Sequence, residues 1–159
     1  MKRLLPLFLI LVILFASAGV ASANSSHPDQ FIITGTGTTE IRPLPNNYVA
    51  FKVTAAGDSV GYLVGPFTFK EEGVASYATL RGVNTGLLTI NKKNNPNSWV
   101  TIWFGGTVDY NADVDPQEQV RGTWRIVRGE GAWKDLEGHG TYTGNAGDAF
   151  TVVFTGDFD

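Results

Sequence analysis

The side chains that could do chemistry are few, and each stands in a different setting. The stretch Asp109-Tyr110-Asn111-Ala112-Asp113-Val114-Asp115-Pro116-Gln117-Glu118 carries oxygen-bearing side chains at every second position. A curled loop of that spacing would gather Asp109, Asn111, Asp113 and Asp115 around Ca2+, which takes about six to eight hard oxygens. The match to an EF-hand loop is partial. Val114 stands where the sharp-turn glycine belongs, and Val120 where the bidentate glutamate belongs. A solvated connection built from Asx turns accounts for the same residues. His139 shares a strand face with Thr141 and Thr143, while Tyr142 points the other way. As a general acid or base it would need Glu137 or Asp135 within reach; a surface histidine beside a carboxylate is the simpler account. Two histidines and no cysteine leave little material for a zinc site or a nucleophile–histidine pair. No catalytic residue is assigned.

Aromatic side chains are the other resource. Trp99-Val100-Thr101-Ile102-Trp103-Phe104 is apolar on both faces of a strand, so one row fills a core and the other lies against a subunit, a covering segment or a ligand. Trp99, Trp103, Trp124 and Tyr142 are the candidates for contact with a small apolar ligand. Opposite Trp124 and Ile126, Arg121 and Arg125 share an outward face, where pairing with carboxylates for solubility is the expected role. Glu71-Glu72, after Phe67-Thr68-Phe69, reads as a strand-end surface pair, with a carboxylate at a barrel mouth as the alternative.

The elements that must hold these residues are strands. Phe31 to Glu40, Tyr48 to Ala56, Val60 to Val64, Phe67 to Glu72, Ala75 to Val83, Leu87 to Asn91, Trp99 to Val108, Val120 to Val127 and Ala149 to Phe158 carry strand patterning, with a further glycine-rich strand before the last. Turns are expected at Arg42 to Asn47, Gly57-Asp58, Gly65-Pro66, Asn84-Thr85-Gly86 and Lys92 to Asn97. A single helical turn fits Ala132 to Leu136. Glycines at 129, 131, 138, 140, 144 and 147 suggest a sheet that bends sharply and closes. Closure also removes the unpaired edges of an open sheet. The expected fold is therefore all-β, a closed antiparallel barrel of about eight strands, with a β-sandwich as the alternative.

At the N-terminus, Met1-Lys2-Arg3, an apolar run from Leu4 to Phe15 and Ala21-Ser22-Ala23 are the parts of a secretory signal peptide. The expected organisation is residues 1–23 signal peptide, 24–30 flexible leader and 31–159 one barrel domain, exported from the cell. An uncleaved anchor is the rival reading, since Leu4 to Ala23 is nearly long enough to span a bilayer. Loss of Lys2 and Arg3 with that segment leaves ten basic against fifteen acidic side chains. Such a balance argues against affinity for nucleic acid or anionic membrane.

Gly129, Gly131, Trp133, Leu136, Gly138, Gly140, Tyr142, Gly144, Phe150 and Phe154 fall in a run, GEGAWKDLEGHGTYTG, ahead of a final FTVVFTGDF strand. This run resembles the allene-oxide-cyclase-like barrels and the related dirigent proteins of plants. The resemblance covers roughly the C-terminal quarter and rests on turn glycines and core aromatics. It implies an eight-stranded barrel around an apolar cavity, often trimeric, and it offers no motif onto which catalytic residues carry over. Three functions remain open. They are a non-catalytic module that binds a small apolar ligand or self-associates through its outer aromatics, an isomerase or cyclase acting on a lipid-like substrate in the cavity, and a calcium-dependent extracellular structural protein. A carboxylate, histidine or arginine projecting into the cavity beside Trp or Phe would separate the second from the first.

Overall fold

The computed structural model describes residues 30–111 and 113–159. The proposed signal peptide and most of the leader lie outside them. Eight strands follow one another as β1 (Gln30–Leu44), β2 (Tyr48–Gly61), β3 (Gly65–Ser76), β4 (Arg81–Asn91), β5 (Trp99–Asp109), β6 (Val120–Glu130), β7 (Gly138–Gly144) and β8 (Ala149–Phe158). Each pairs antiparallel with the next, and β1 pairs with β8, so the sheet closes into a barrel. A sandwich is excluded.

Alternation decides what fills it. In β5, Val100, Ile102, Phe104 and Val108 are buried, while Trp99, Thr101 and Trp103 lie half-covered on the outside. In β8, Phe150, Val152 and Phe154 are buried against outward Thr151, Val153 and Thr155. The interior is an aromatic stack: Phe31 lies flat on Phe154 (4.6 Å), Phe69 on Phe104 (5.0 Å), and Trp124 meets Phe31 edge-on (5.6 Å). Trp124 satisfies its indole N–H on the Thr141 and Thr155 carbonyls (3.1 and 3.2 Å). That lets so large a side chain be buried without an orphaned donor.

Glycine works here mainly as a spacer within strands. A Cβ at Gly86 would strike the Phe104 ring and the Lys70 carbonyl, and one at Gly73 would strike the Phe51 ring and the Val83 carbonyl. Glycine faces glycine across the ladder at Gly35–Gly57, Gly106–Gly122 and Gly140–Gly156. This corrects three expected turns. Gly57-Asp58 lies inside β2, and the chain reverses beyond Gly61, whose φ of +100° suits glycine. Asn84-Thr85-Gly86 lies inside β4, and the reversal comes earlier, at Tyr77 to Leu80. Gly65-Pro66 likewise opens β3 instead of breaking a strand. Arg42-Pro43-Leu44 continues β1, leaving Asn46 and Asn47, with φ of 61° and 62°, as the turn. The hairpin tip at Lys92 to Asn97 and the helical turn stand, the latter as a short 3-10 turn at Gly131–Trp133.

The two ends of the barrel differ. At one end Leu63 is fully buried, its carbonyl accepting from Ser59 Oγ (2.6 Å), while Tyr62 stacks on Phe158 (4.0 Å) and Ser98 Oγ receives the Ala132 N–H (2.9 Å). The other end carries the Asn46-Asn47 turn, the Tyr77–Leu80 reversal and the acidic loop. There the inward row of β1 passes from 0 % exposure at Phe31 and Ile33 to 57 % at Ile41. The interior is sealed at one end; at the other, Thr39 and Ile41 of β1 are exposed, whereas Val49 and Phe51 of β2 and Ala75 of β3 stay buried.

Candidate functional site

One rung of the barrel runs Thr39, Val53, Glu71, Gly86, Phe104, Trp124 across β1 to β6. Thr39 is exposed, Val53 and Glu71 are half-buried, and Phe104 and Trp124 are buried. A carboxylate therefore sits between the buried apolar floor and the exposed end of β1. Glu71 shares the inward face of β3 with Phe67 and Phe69, whereas Glu72 faces outward. The expectation of a strand-end surface pair is corrected: β3 runs on to Ser76, and alternation carries Glu71 inside.

A hydrogen-bonded chain ties Glu71 to the far wall. The Tyr142 hydroxyl donates to Asn84 Oδ1 (3.2 Å), and Asn84 Nδ2 donates to Glu71 Oε1 (2.8 Å). Asn84 is buried, on β4, and Tyr142 is buried, on β7, edge-on to Phe104 (5.7 Å). Burial pushes the Glu71 carboxyl above its ordinary range, and the Asn84 hydrogen bond recovers only part of that shift. Desolvation, and then the charge of Glu71, raise the Tyr110 hydroxyl to about 12. Burial and Glu71 raise the Tyr142 hydroxyl as well. The second oxygen of Glu71 has no hydrogen-bond partner among the described residues, yet it is not sealed from solvent. Chemically that oxygen can accept a hydrogen bond or, when protonated, donate one.

The four aromatic candidates do not converge. Trp124 and Tyr142 belong to the interior, and Trp99 and Trp103 to the outer surface. The outer pair is covered by arginines of β6: Arg128 lies over Trp99 (5.1 Å) and Arg125 over Trp103 (5.6 Å). A bulge opposite Thr101 and Ile102 sets Arg128 beside Thr101, while Arg125 stands beside Trp103 in regular register. Arg125 thus finds an aromatic face where a carboxylate was expected. Outside the barrel, shallow grooves of about 640 and 450 Å³ are lined chiefly by outward side chains, among them Thr36, Thr54 and Lys70 in the first, Lys52, Leu87 and Trp103 in the second.

The acidic loop spends its oxygens locally. Asp109 Oδ2 takes the Arg81 guanidinium (2.7 Å), and its Oδ1 takes the Asn111 backbone N–H (3.1 Å). Some desolvation raises the Asp109 carboxyl, but the Asn111 and Arg81 hydrogen bonds outweigh it and leave it below the usual range. Asp115 caps the 3-10 turn at Pro116–Glu118 through the Gln117 N–H (2.9 Å), and Asp113 is exposed. Among the described residues no three His, Asp or Glu side chains stand together as metal ligands would. His139 is exposed on the outer face, opposite Arg125 and Asp157.

The fold and site together define a closed antiparallel barrel with a half-buried carboxylate, Glu71, on the inner face of an aromatic interior. No family model, curated protein or solved structure matches the chain.

Proposed function

We propose that the protein is an exported binding barrel that takes a small, largely apolar molecule against the inner wall around Glu71. One observation carries the reading: a carboxylate faces inward among phenylalanines, anchored by Asn84 and Tyr142, with one oxygen left for a guest. An apolar wall with few polar groups is the usual make-up of a small-molecule site. The guest's apolar part would lie along Ile41 and Val53 and its polar group at Glu71.

The test uses the neutral dye Nile red. Binding to the purified protein should raise its fluorescence. Val53→Trp, which fills the wall, and Glu71→Lys, which puts a larger cation there, should each weaken binding at least about tenfold. If both bind the dye as the parent does while circular dichroism shows intact strands, the guest does not sit at this wall.

The raised carboxyl of Glu71 also favours the second reading, an isomerase or cyclase in which Glu71 moves a proton on the bound molecule. Glu71→Gln separates the two. It should keep the guest bound in either case, and abolish turnover only if the protein is an enzyme.

A further inference from the structure

We propose that the open edge of β1 pairs with the same edge of a second copy of this chain, joining two barrels about a two-fold axis. β1 outlasts its neighbour. It pairs with β8 only from Gln30 to Thr36, and at the next step the Gly37 N–H donates to the Asp148 carbonyl (2.9 Å). From Thr38 to Leu44 it pairs with β2 alone, in unbroken register. Successive residues of a strand turn their backbone groups to opposite sides. Gly37 turns toward β8, so Thr39, Ile41 and Pro43 present theirs to the open side, and among the described residues nothing pairs with them.

Proline and charge are the usual guards of such an edge, and Pro43, Glu40 and Arg42 are all here. Their order is nevertheless self-complementary. Antiparallel pairing centred on Ile41 sets Glu40 opposite Arg42 of the second copy, and Arg42 opposite its Glu40. Sliding the register one step either way, with the same backbone groups pairing, sets Glu40 against Glu40 or Arg42 against Arg42. The charges therefore select one register, and a copy of the same strand is the occupant that satisfies it. The Ile41 N–H and carbonyl would exchange hydrogen bonds with their counterparts, and each Thr39 N–H would reach a Pro43 carbonyl. Ile41, 57 % exposed in the single barrel, would lie against Ile41 of the second copy. The absent N–H of Pro43 removes the reciprocal bonds, which makes the contact reversible and not permanent.

Sedimentation equilibrium over a concentration series tests this on the purified protein. The parent should show a reversible monomer–dimer equilibrium. Glu40→Arg and Arg42→Glu should each raise the dissociation constant at least about tenfold, because each turns two attractions into two repulsions. The two changes combined should bring it back to within about threefold of the parent. Ile41→Pro, which removes an N–H that only the second copy uses, should give a monomer with unchanged far-ultraviolet circular dichroism. A parent that stays monomeric throughout, a dimer indifferent to the single charge reversals, or a double variant that does not recover would each overturn the proposal.

Discussion

Glu71 shows how one ionisable group ties stability to pH. Its folded-state pKa lies above the ordinary value of 4.5, so folding favours the protonated acid. That contribution is whole below pH 4.5 and is lost as pH rises through the folded value. The melting temperature of the parent relative to Glu71→Gln should therefore be highest near about pH 4 and decline above it. A difference that grows with pH would mean the carboxyl is not desolvated. Tyr142→Phe should cost about 1–3 kcal/mol in urea unfolding, because it leaves Asn84 Oδ1 without its donor inside the barrel. A cost near zero would show that water replaces the hydroxyl. The inward path of Glu71 was legible in the odd-numbered row Phe67, Phe69, Glu71, provided the strand continued past Glu72. The adjacent glutamates suggested that it ended there. Asn84 was hidden for a related reason, since Asn-Thr-Gly is turn vocabulary until a buried hydrogen-bonding partner is known.

At the level of the strands, alternation was readable and turn chemistry misled. β5, β6 and β8 fall close to where the patterning of Trp99 to Val108, Val120 to Val127 and Ala149 to Phe158 puts them. The errors fall on Gly57, Gly65 and Gly86. A glycine between two apolar runs signals a turn only if nothing else needs the missing Cβ, and here the Phe67 and Phe104 rings need it at Gly57 and Gly86 and the Asn91 carbonyl needs it at Gly65. Gly86→Ala is expected to destabilise the barrel by about 1–3 kcal/mol, because Phe104 cannot withdraw from a packed core. Thermal unfolding reads this directly. Gly147→Ala isolates the other cost, because its Cβ would meet only the Ala149 carbonyl (3.6 Å) and any loss there comes from its φ of +147°. Arg128→Ala should cost no more than about 1 kcal/mol, since its contact with Trp99 is on the half-exposed surface.

For the molecule as a whole, closure was the feature the sequence suggested most directly, through glycine density and the need to hide sheet edges. What could not be read was the stagger at the seam, where β1 runs past β8, because register is a property of pairs and not of single strands. The seam also couples the two ends of the domain. Gln30 pairs with Thr155, and its side-chain amide donates to the Thr155 hydroxyl (3.3 Å). The domain's first and last strands are thus immediate neighbours, though they are farthest apart along the chain. A circular permutant is therefore within reach: a short Gly-Ser tether from Asp159 to Gln30, with new termini cut at the exposed Lys93–Asn95 bend, keeps every rung intact. Such a rewired polypeptide should unfold in one transition within a few degrees of the parent. A permutant that never folds would mean that the order of synthesis, and not the finished cylinder alone, guides assembly.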